Sequence, residues 1–424
     1  MLAYAVAVFL ALAEIQPANA PNRDAVAEVL AGDRTEANAA WWGFNMDDAT
    51  DALQAAINSG ARKLTIPYMG APWVVRPITL ASNQEILFEP GVVVLAQEGE
   101  FKGRGDSLFT AKNATDVTLI GYGATLRMHK QDYQGDAYEK AEWRMTLDFM
   151  SCTRVKVYGL RLESSGGDGI YLGNGNPERP YCEDVHIRDV VCDNHHRQGI
   201  SVISAKNLLI ENCVLANTSG TAPQAGIDFE PNRAEEQLTN CVMRNCLIEG
   251  NAGAGVLVYL KNLSDASEHV SLHVQDCYIR SGRDVGIGVG AVRDNGPDGV
   301  IEFVRCTIEN TTNGGIFVYD KAPDRCRVRF VNCNWKDVGM HERGDKKRKA
   351  GVPLLLTVLR PQITKRTGGI DFIDCHVYDT LDRPVLVAEG RGADVGIGDL
   401  HGHVTVHSPH APKADYKCEP TDVD

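Results

Sequence analysis

The chain has 424 residues, 43% of them apolar, a mean hydropathy of −0.22 and a formal charge of −13. That is ample apolar residue for a core, and beyond the first twenty residues no segment approaches the length of a membrane span. No P-loop, dinucleotide-binding glycine fingerprint or nucleic-acid module is visible, and a field of this sign repels polyanions at long range, so nucleic acid is not an expected partner.

Taken in order, Met1 to Ala20 is an apolar run, LAYAVAVFLALA, ending in Ala18-Asn19-Ala20, and reads as a secretory signal peptide. A secreted or periplasmic location follows. Residues 21 to about 45 show no clear period, and Trp41 and Trp42 are expected to cover an end of the core. Asp47–Ser59 reads as a short helix capped by Asp47 or Asp48, with Ala52, Leu53, Ala56 and Ile57 on its apolar side and Gly60 ending it. Short strand-like pieces follow at 64–66, 73–75, 85–88, 92–96, 108–111 and 117–120, separated by Gly, Pro, Asn and Asp. Tyr122–Glu142 is a polar interruption, expected to project as a loop.

From there a repeat dominates. The pattern Gly-Ile-x-apolar, or a close variant, starts at Gly169, Gly199, Gly226, Gly255, Gly286 and Gly315, in steps of 30, 27, 29, 31 and 29 residues. One strand-like unit per period in this range is the signature of a solenoid. A second unit ends in cysteine at Cys213, Cys246, Cys277, Cys306, Cys333 and Cys375. Twelve cysteines in an exported chain first suggest disulfides, but one fixed place per repeat predicts an interior column of reduced, buried thiols. No Cys-x-x-Cys pair points to zinc, and no metal site is expected. Residues 336–369 break the rhythm with the charged run Glu342–Lys349, expected as an exposed loop, although Val352–Val358 could form a rung within it.

The helix DDATDALQAAINSG, then KLTIPYMG, ILFEPGVVVLA, and the Asn/Asp-Cys and Gly-Ile-x-Val rungs resemble the pectate-lyase-like right-handed parallel β-helix superfamily over roughly residues 45–390. The resemblance implies an all-β solenoid with an N-terminal capping helix. The expected organisation is a signal peptide at 1–20, the N-terminal segment and capping helix at 21–59, the parallel β-helix at 60–400 and a polar tail at 401–424. The fold hosts many activities, so function must come from the site. In polygalacturonase-type hydrolases consecutive rungs read Asn-Thr-Asp-Gly, Asp-Asp-Cys, Gly-His-Gly and Arg-Ile-Lys. Gly167-Asp168-Gly169 is similar to the first, and Tyr259-Leu260-Lys261 loosely to the last. Arg197-Gln198-Gly199 and Gln224-Ala225-Gly226 replace the middle two, so that mechanism does not transfer residue by residue.

In Gly-Ile-x-apolar the Ile and the later apolar residue face inward, so x faces out. Tyr171, Ser201, Asp228, Leu257, Gly288 and Phe317 then form one outward column, and Gly173, Glu230, Tyr259, Gly290 and Tyr319 the next. Rungs stack at about 4.8 Å and outward neighbours on a strand lie ~6.6 Å apart, which makes Asp228 and Glu230 adjacent carboxylates. Such a pair suits glycoside hydrolysis, one group protonating the leaving oxygen and the other attacking or activating water. Asp168 and His196 are the further candidate catalytic groups. Arg197, His195, Gln198, Tyr171, Asn232, Tyr259, Lys261 and Arg293 are candidates for holding substrate. An isolated Asp168 would be an ordinary turn residue bonding its own backbone; its coincidence with the pair on stacked rungs is what points to a site.

The expected activity is therefore a secreted glycoside hydrolase acting on a polysaccharide without a cofactor. Arg233, Lys261, Arg293 and Lys321, one cation per rung, suggest uronate or sulfate on that polymer, unless Asp294 and Asp320 simply pair with them. Two alternatives stand beside this reading. One is a lyase or C5-epimerase on a uronic-acid polymer, with Arg197 or Lys261 neutralising the carboxylate, His196 or Tyr259 taking the proton, and a place for calcium in the lyase case. The other is a carbohydrate-binding solenoid without turnover.

Overall fold

The computed structural model describes residues 18–340, 351–360, 363, 366–390 and 396–416. Most of the expected signal peptide, the charged run at 342–349 and Cys418 lie outside the described residues.

Parallel strands stack rung upon rung. A representative rung has three strands, Cys182–Arg188, Val191–Asp193 and Ile200–Val202. The first two kinds of strand belong to one bent sheet of 23 strands, and the third kind builds a separate sheet of 12. We call the surface of that smaller sheet the third face. The bend between the first two strands falls on a residue in the left-handed region: Asp189, Asn212, Asn245, Asp276, Arg305, Asn332 and Asp374 all have φ between 49° and 56°. Asn and Asp tolerate that conformation best, which is why they recur there. Asn245 Nδ2 donates to Asn212 Oδ1 at 2.7 Å, tying adjacent bends together.

The residue after each of the last six bends is a cysteine turned into the core. Cys213, Cys246, Cys277, Cys306, Cys333 and Cys375 are buried and free, each Sγ donating to the carbonyl two residues earlier, as Cys213 does to Glu211 at 3.2 Å. Cys152, Cys182, Cys192, Cys241 and Cys326 are buried and free as well.

The repeating glycine is required by close approach. A Cβ on Gly169, Gly199, Gly226, Gly255 or Gly286 would lie 2.4–2.9 Å from the carbonyl oxygen of the corresponding glycine one rung on. On the third face Ile170, Leu172, Ile200, Val202, Ile227 and Phe229 point into the core and are buried, as the alternation requires.

At the N-terminal end α2 (Thr50–Ile57) lays Leu53, Ala56 and Ile57 on the core. It starts at Thr50 rather than at the aspartates; Asp48 Oδ1 still accepts the Thr50 N–H at 2.9 Å. A further helix, α1 (Arg23–Leu30), occupies a stretch whose sequence shows no period, since eight residues give barely two turns. Asn22 caps it by accepting from the Ala25 N–H. Val352–Thr357 is a third-face rung. The expected polar tail is corrected in part: Leu400–His407 pairs with Ile370–Tyr378, and Ala414–Tyr416 with Leu386–Glu389, so rungs continue beyond residue 400. Alternating polar and β-branched residues in HGHVTVH are legible as a strand with one buried side only when its neighbour is known. Among the described residues no helix is long and apolar enough to cross a membrane.

Candidate active site

Strand register fixes the outward column on the third face. Thr110, Asp148, Tyr171, Ser201, Asp228, Leu257, Gly288 and Phe317 are successive partners. Asp148 joins it from Leu147-Asp148-Phe149, the counterpart of Ile227-Asp228-Phe229 without the glycine that marks the other repeats.

The column faces away from the core at its acidic end without being open to water. Asp168, Ser201 and Asp228 are 0% exposed. Arg197 covers them: its guanidinium lies 3.4 Å from Asp168 Oδ2, 3.7 Å from Glu230 Oε2 and 3.9 Å from Glu142 Oε1. A further 3.5 Å contact reaches Ser201 Oγ, and Arg197 Nε has no hydrogen-bond partner. The guanidinium is thus shared among three carboxylates and bonded closely to none of them. Gln198 holds Asp228, its Nε2 donating to Oδ2 at 3.0 Å while its Oε1 accepts the Ala225 N–H at 2.7 Å. Asp148, Asp168 and Asp228 each keep a buried Oδ1 without a partner.

Buried charge at this density raises carboxyl pKa values. Burial, and then the adjacent Glu230 carboxylate, push Asp228 well above the ordinary range, with Arg197 opposing. Burial pushes Asp168 up to about 6 against the pull of Arg197. Burial and the Asp168 charge push Asp148 up to about 7. Burial alone would lower Arg197, but Asp168, Asp228, Glu142 and Glu230 hold it above its usual value. Carboxyl pKa values raised in this direction are of the kind that general acids use.

The structure separates the other candidates. Gln198 is fully buried and positions Asp228, so it is not a substrate contact. His195 is also fully buried, with Ser165 Oγ 2.8 Å from its Nδ1, and burial pushes its pKa down to about 3, so it is a neutral core residue rather than a substrate contact. His196 turns away from the carboxylates to Thr221, whose Oγ1 lies 2.8 Å from Nε2. Of the run His195-His196-Arg197 only the arginine reaches the acids, because consecutive side chains diverge. The ring of Tyr171 lies over Gly173, where a Cβ would come within 2.2 Å of it, and covers part of the third face. Asn232, Lys261 and Arg293 are exposed beyond the strands. The expected cation column is broken at Lys321, which is fully buried with Nζ donating to the carbonyls of Ala322 and Arg325, at 2.8 and 3.0 Å. Asp320 pairs with Arg360, not with Lys321.

Two contributors come from outside the repeat. Glu142 arrives on the segment preceding the Leu147–Met150 strand. That segment is anchored by the buried Arg144, which donates to the carbonyls of Phe101, Lys102 and Glu139, and by Lys130 Nζ, which donates to Asn194 Oδ1 and the His195 carbonyl at 3.0 Å each. Arg360 arrives after the Val352–Thr357 rung and donates to Tyr259 Oη. Among the described residues no group of three or more His, Cys, Asp or Glu is arranged to hold a metal ion.

Comparison with known proteins agrees with this architecture. The family model described as "Right handed beta helix region" matches residues 146–289 and 182–341. No curated protein matches the sequence. Among solved structures, the chain is similar to a Family 28 exopolygalacturonase of Yersinia enterocolitica at 12% identity and a TM-score of 0.59, over 92% of this chain and 78% of that one. It is similar to a hyperthermoactive exopolygalacturonase from Thermotoga maritima at 13% and 0.55, over 91% and 96%. A tailspike protein mutant of E. coli bacteriophage HK620, in complex with pentasaccharide, matches at 12% and 0.59, over 86% of this chain and 64% of that one. Identities this low establish the shared fold and nothing finer.

Proposed function

The chain is a right-handed parallel β-helix, and we propose that it is a secreted glycoside hydrolase that cleaves a polysaccharide lying along the third face. One observation carries the reading: Asp168 and Glu230 lie 3.4 and 3.7 Å from one guanidinium, Asp228 sits beside Glu230, and the two aspartates are wholly buried, each with an unpartnered oxygen. Asp228, whose pKa burial raises, is the general acid. Glu230, just past the end of the same strand and less buried, attacks or activates water. Asp168 keeps Arg197 over the pair. Because Arg197 makes only long contacts, an arriving sugar chain can shift it and uncover the acids. The sugar-active names of the structural neighbours are consistent with this chemistry, and the loosely held arginine favours a glycan that itself carries carboxylate or sulfate.

The test starts from a polysaccharide panel with product analysis. Asp228→Asn and Glu230→Gln should each lower kcat by about 10²- to 10⁴-fold without loss of folded stability, and Asp168→Asn by less. New reducing ends without ultraviolet absorbance identify hydrolysis; an unsaturated, absorbing product would replace this reading by the lyase one. Near-normal rates in both strand variants would place the chemistry elsewhere.

A further inference from the structure

The C-terminal half of the third face has no part in the carboxylate cluster, yet it is built as carefully. Past Glu230 the second outward column runs through Tyr259, Gly290, Tyr319 and Thr357, paired rung by rung. Gly288 and Gly290 remove side chains from the middle of this surface. The Tyr319 ring lies down over Gly290, where a Cβ would come within 2.2 Å of it, and stacks on Phe317 with centroids 4.7 Å apart. The result is a shallow floor with aromatic walls, the shape that suits a flat, apolar sugar face.

Arg360 stands over this floor. Its guanidinium lies 5.4 Å above the Tyr259 ring centroid and donates to the Tyr259 hydroxyl. Asp320, whose side chain is 0% exposed, lies beneath: its Oδ1 accepts the Leu359 N–H at 2.7 Å and the Arg360 N–H at 3.2 Å, and its Oδ2 is 3.6 Å from Arg360 Nε. A buried carboxylate thus fixes the backbone and one edge of an arginine whose side chain is 26% exposed, on a tyrosine one rung beyond Glu230. Holding the backbone and one guanidinium nitrogen in advance removes part of the entropy that a surface arginine loses on gripping an anion.

We propose that Arg360, laid on Tyr259 and anchored by Asp320, forms a subsite that reads an anionic group, carboxylate or sulfate, on a sugar unit adjacent to the cleavage point. This rests on the polysaccharide reading above. The neighbouring floor takes the sugar ring, and the fixed guanidinium takes the anion through a planar set of donors that lysine lacks.

The experiment uses the full chain and three polymers: a uronate polymer, its neutral methyl ester, and a sulfated glycan. Arg360→Ala should raise KM on the acidic substrate by roughly 10- to 100-fold while leaving kcat within about threefold, and should leave KM on the neutral ester unchanged. Arg360→Lys, which keeps the charge and guards against a folding defect, should recover only part of the loss. A larger effect on the sulfated glycan than on the uronate identifies sulfate as the anion. Equal effects on ester and acid, or no effect on any anionic polymer, overturn the subsite. Asp228→Asn, assayed beside it, separates the two ideas: if that variant is dead and Arg360→Ala is silent, the hydrolase stands and the subsite falls. If Asp228→Asn stays active, the underlying function falls first.

Discussion

The two halves of the third face share one backbone and differ only in what occupies the outward positions. From Asp148 to Glu230 those positions carry carboxyls, crowded and mostly buried under Arg197. From Leu257 to Thr357 they carry aromatics, glycines and an arginine held from below. Two guanidiniums make the contrast sharp. Arg197 is shared among three acids, whereas Arg360 has its backbone N–H held by one buried acid and its guanidinium bonded to one tyrosine hydroxyl. On the proposed function, the first group moves when substrate arrives and the second stays in place. The solenoid allows both because each rung sets its outward residue independently while the inward pattern stays constant.

The acidic half should be a stability liability, and removing charge from it gives the largest expected effect. Asp148 has a folded pKa of about 7 against an ordinary 3.8. The folded state therefore binds its proton more tightly than the unfolded chain does. No destabilisation arises below about pH 4, and it grows as pH rises through the folded pKa. Asp148→Asn should stabilise the protein by about 2–4 kcal/mol at pH 8, each pKa unit being worth ~1.4 kcal/mol, and the gain should disappear near pH 4. The groups facing Asp148 are Ser107, Asp168 and, by register, Thr110 and Tyr171, and none of them is a cation that would reverse the sign. Denaturant melts across that range decide it. A variant no more stable at pH 8 than at pH 4, relative to the parent, would mean that Asp148 is ionised and solvated.

Glycines separate the halves next. At Gly226 a Cβ would sit 2.4 Å from Ile248 Cγ2 and 2.8 Å from the Gly255 carbonyl, inside the rung stack of the acidic half. At Gly288 the nearest atom is Leu257 Cδ1 at 3.0 Å, the end of a flexible side chain on the open floor. Gly226→Ala should cost about 1–3 kcal/mol. Gly288→Ala should cost less than about 0.5 kcal/mol, and should show itself as a higher KM. Equal losses of stability would mean that the floor is packed rather than open.

Sequence reasoning reached the repeating parts of this arrangement and missed the parts that do not repeat. Gly-Ile-x-apolar and Asn/Asp-Cys are legible because each answers a constraint renewed at every rung, a carbonyl too close for a Cβ or a left-handed bend. Asp228 and Glu230 followed from that register, and Arg197 was named beside them from the turn before its strand. Asp148 was hidden because Thr146 stands where later rungs have glycine, although Leu-Asp-Phe against Ile-Asp-Phe was a usable signal. Glu142 and Arg360 carry no signal at all: both sit on segments outside the repeat, and Arg360 meets Tyr259 across 101 residues of sequence. The histidines misled for the opposite reason. Burial, which leaves His195 neutral, is a property of three dimensions that adjacent polar letters do not reveal.

The smallest effect is expected where the sequence placed its row of cations. Lys261 and Arg293 remain candidates for contact with an anionic polymer, but both are exposed, and the row loses Lys321 to the core. An exposed cation acts on a bound anion through water, within a Debye length of about 8 Å at physiological salt, and holding a long side chain still offsets much of the gain. Interactions of this kind are worth about 0.2–1 kcal/mol, so Lys261→Ala and Arg293→Ala should each raise KM only about two- to threefold. Raised salt should abolish that difference while leaving more of the Arg360 effect, since a partly buried, pre-fixed guanidinium is screened less. Measuring KM for the three variants at low and high salt gives the comparison directly. If Lys261→Ala matches or exceeds Arg360→Ala at both salt concentrations, the polymer runs along the exposed row beyond the strands, and the aromatic half of the face is not what reads its charge.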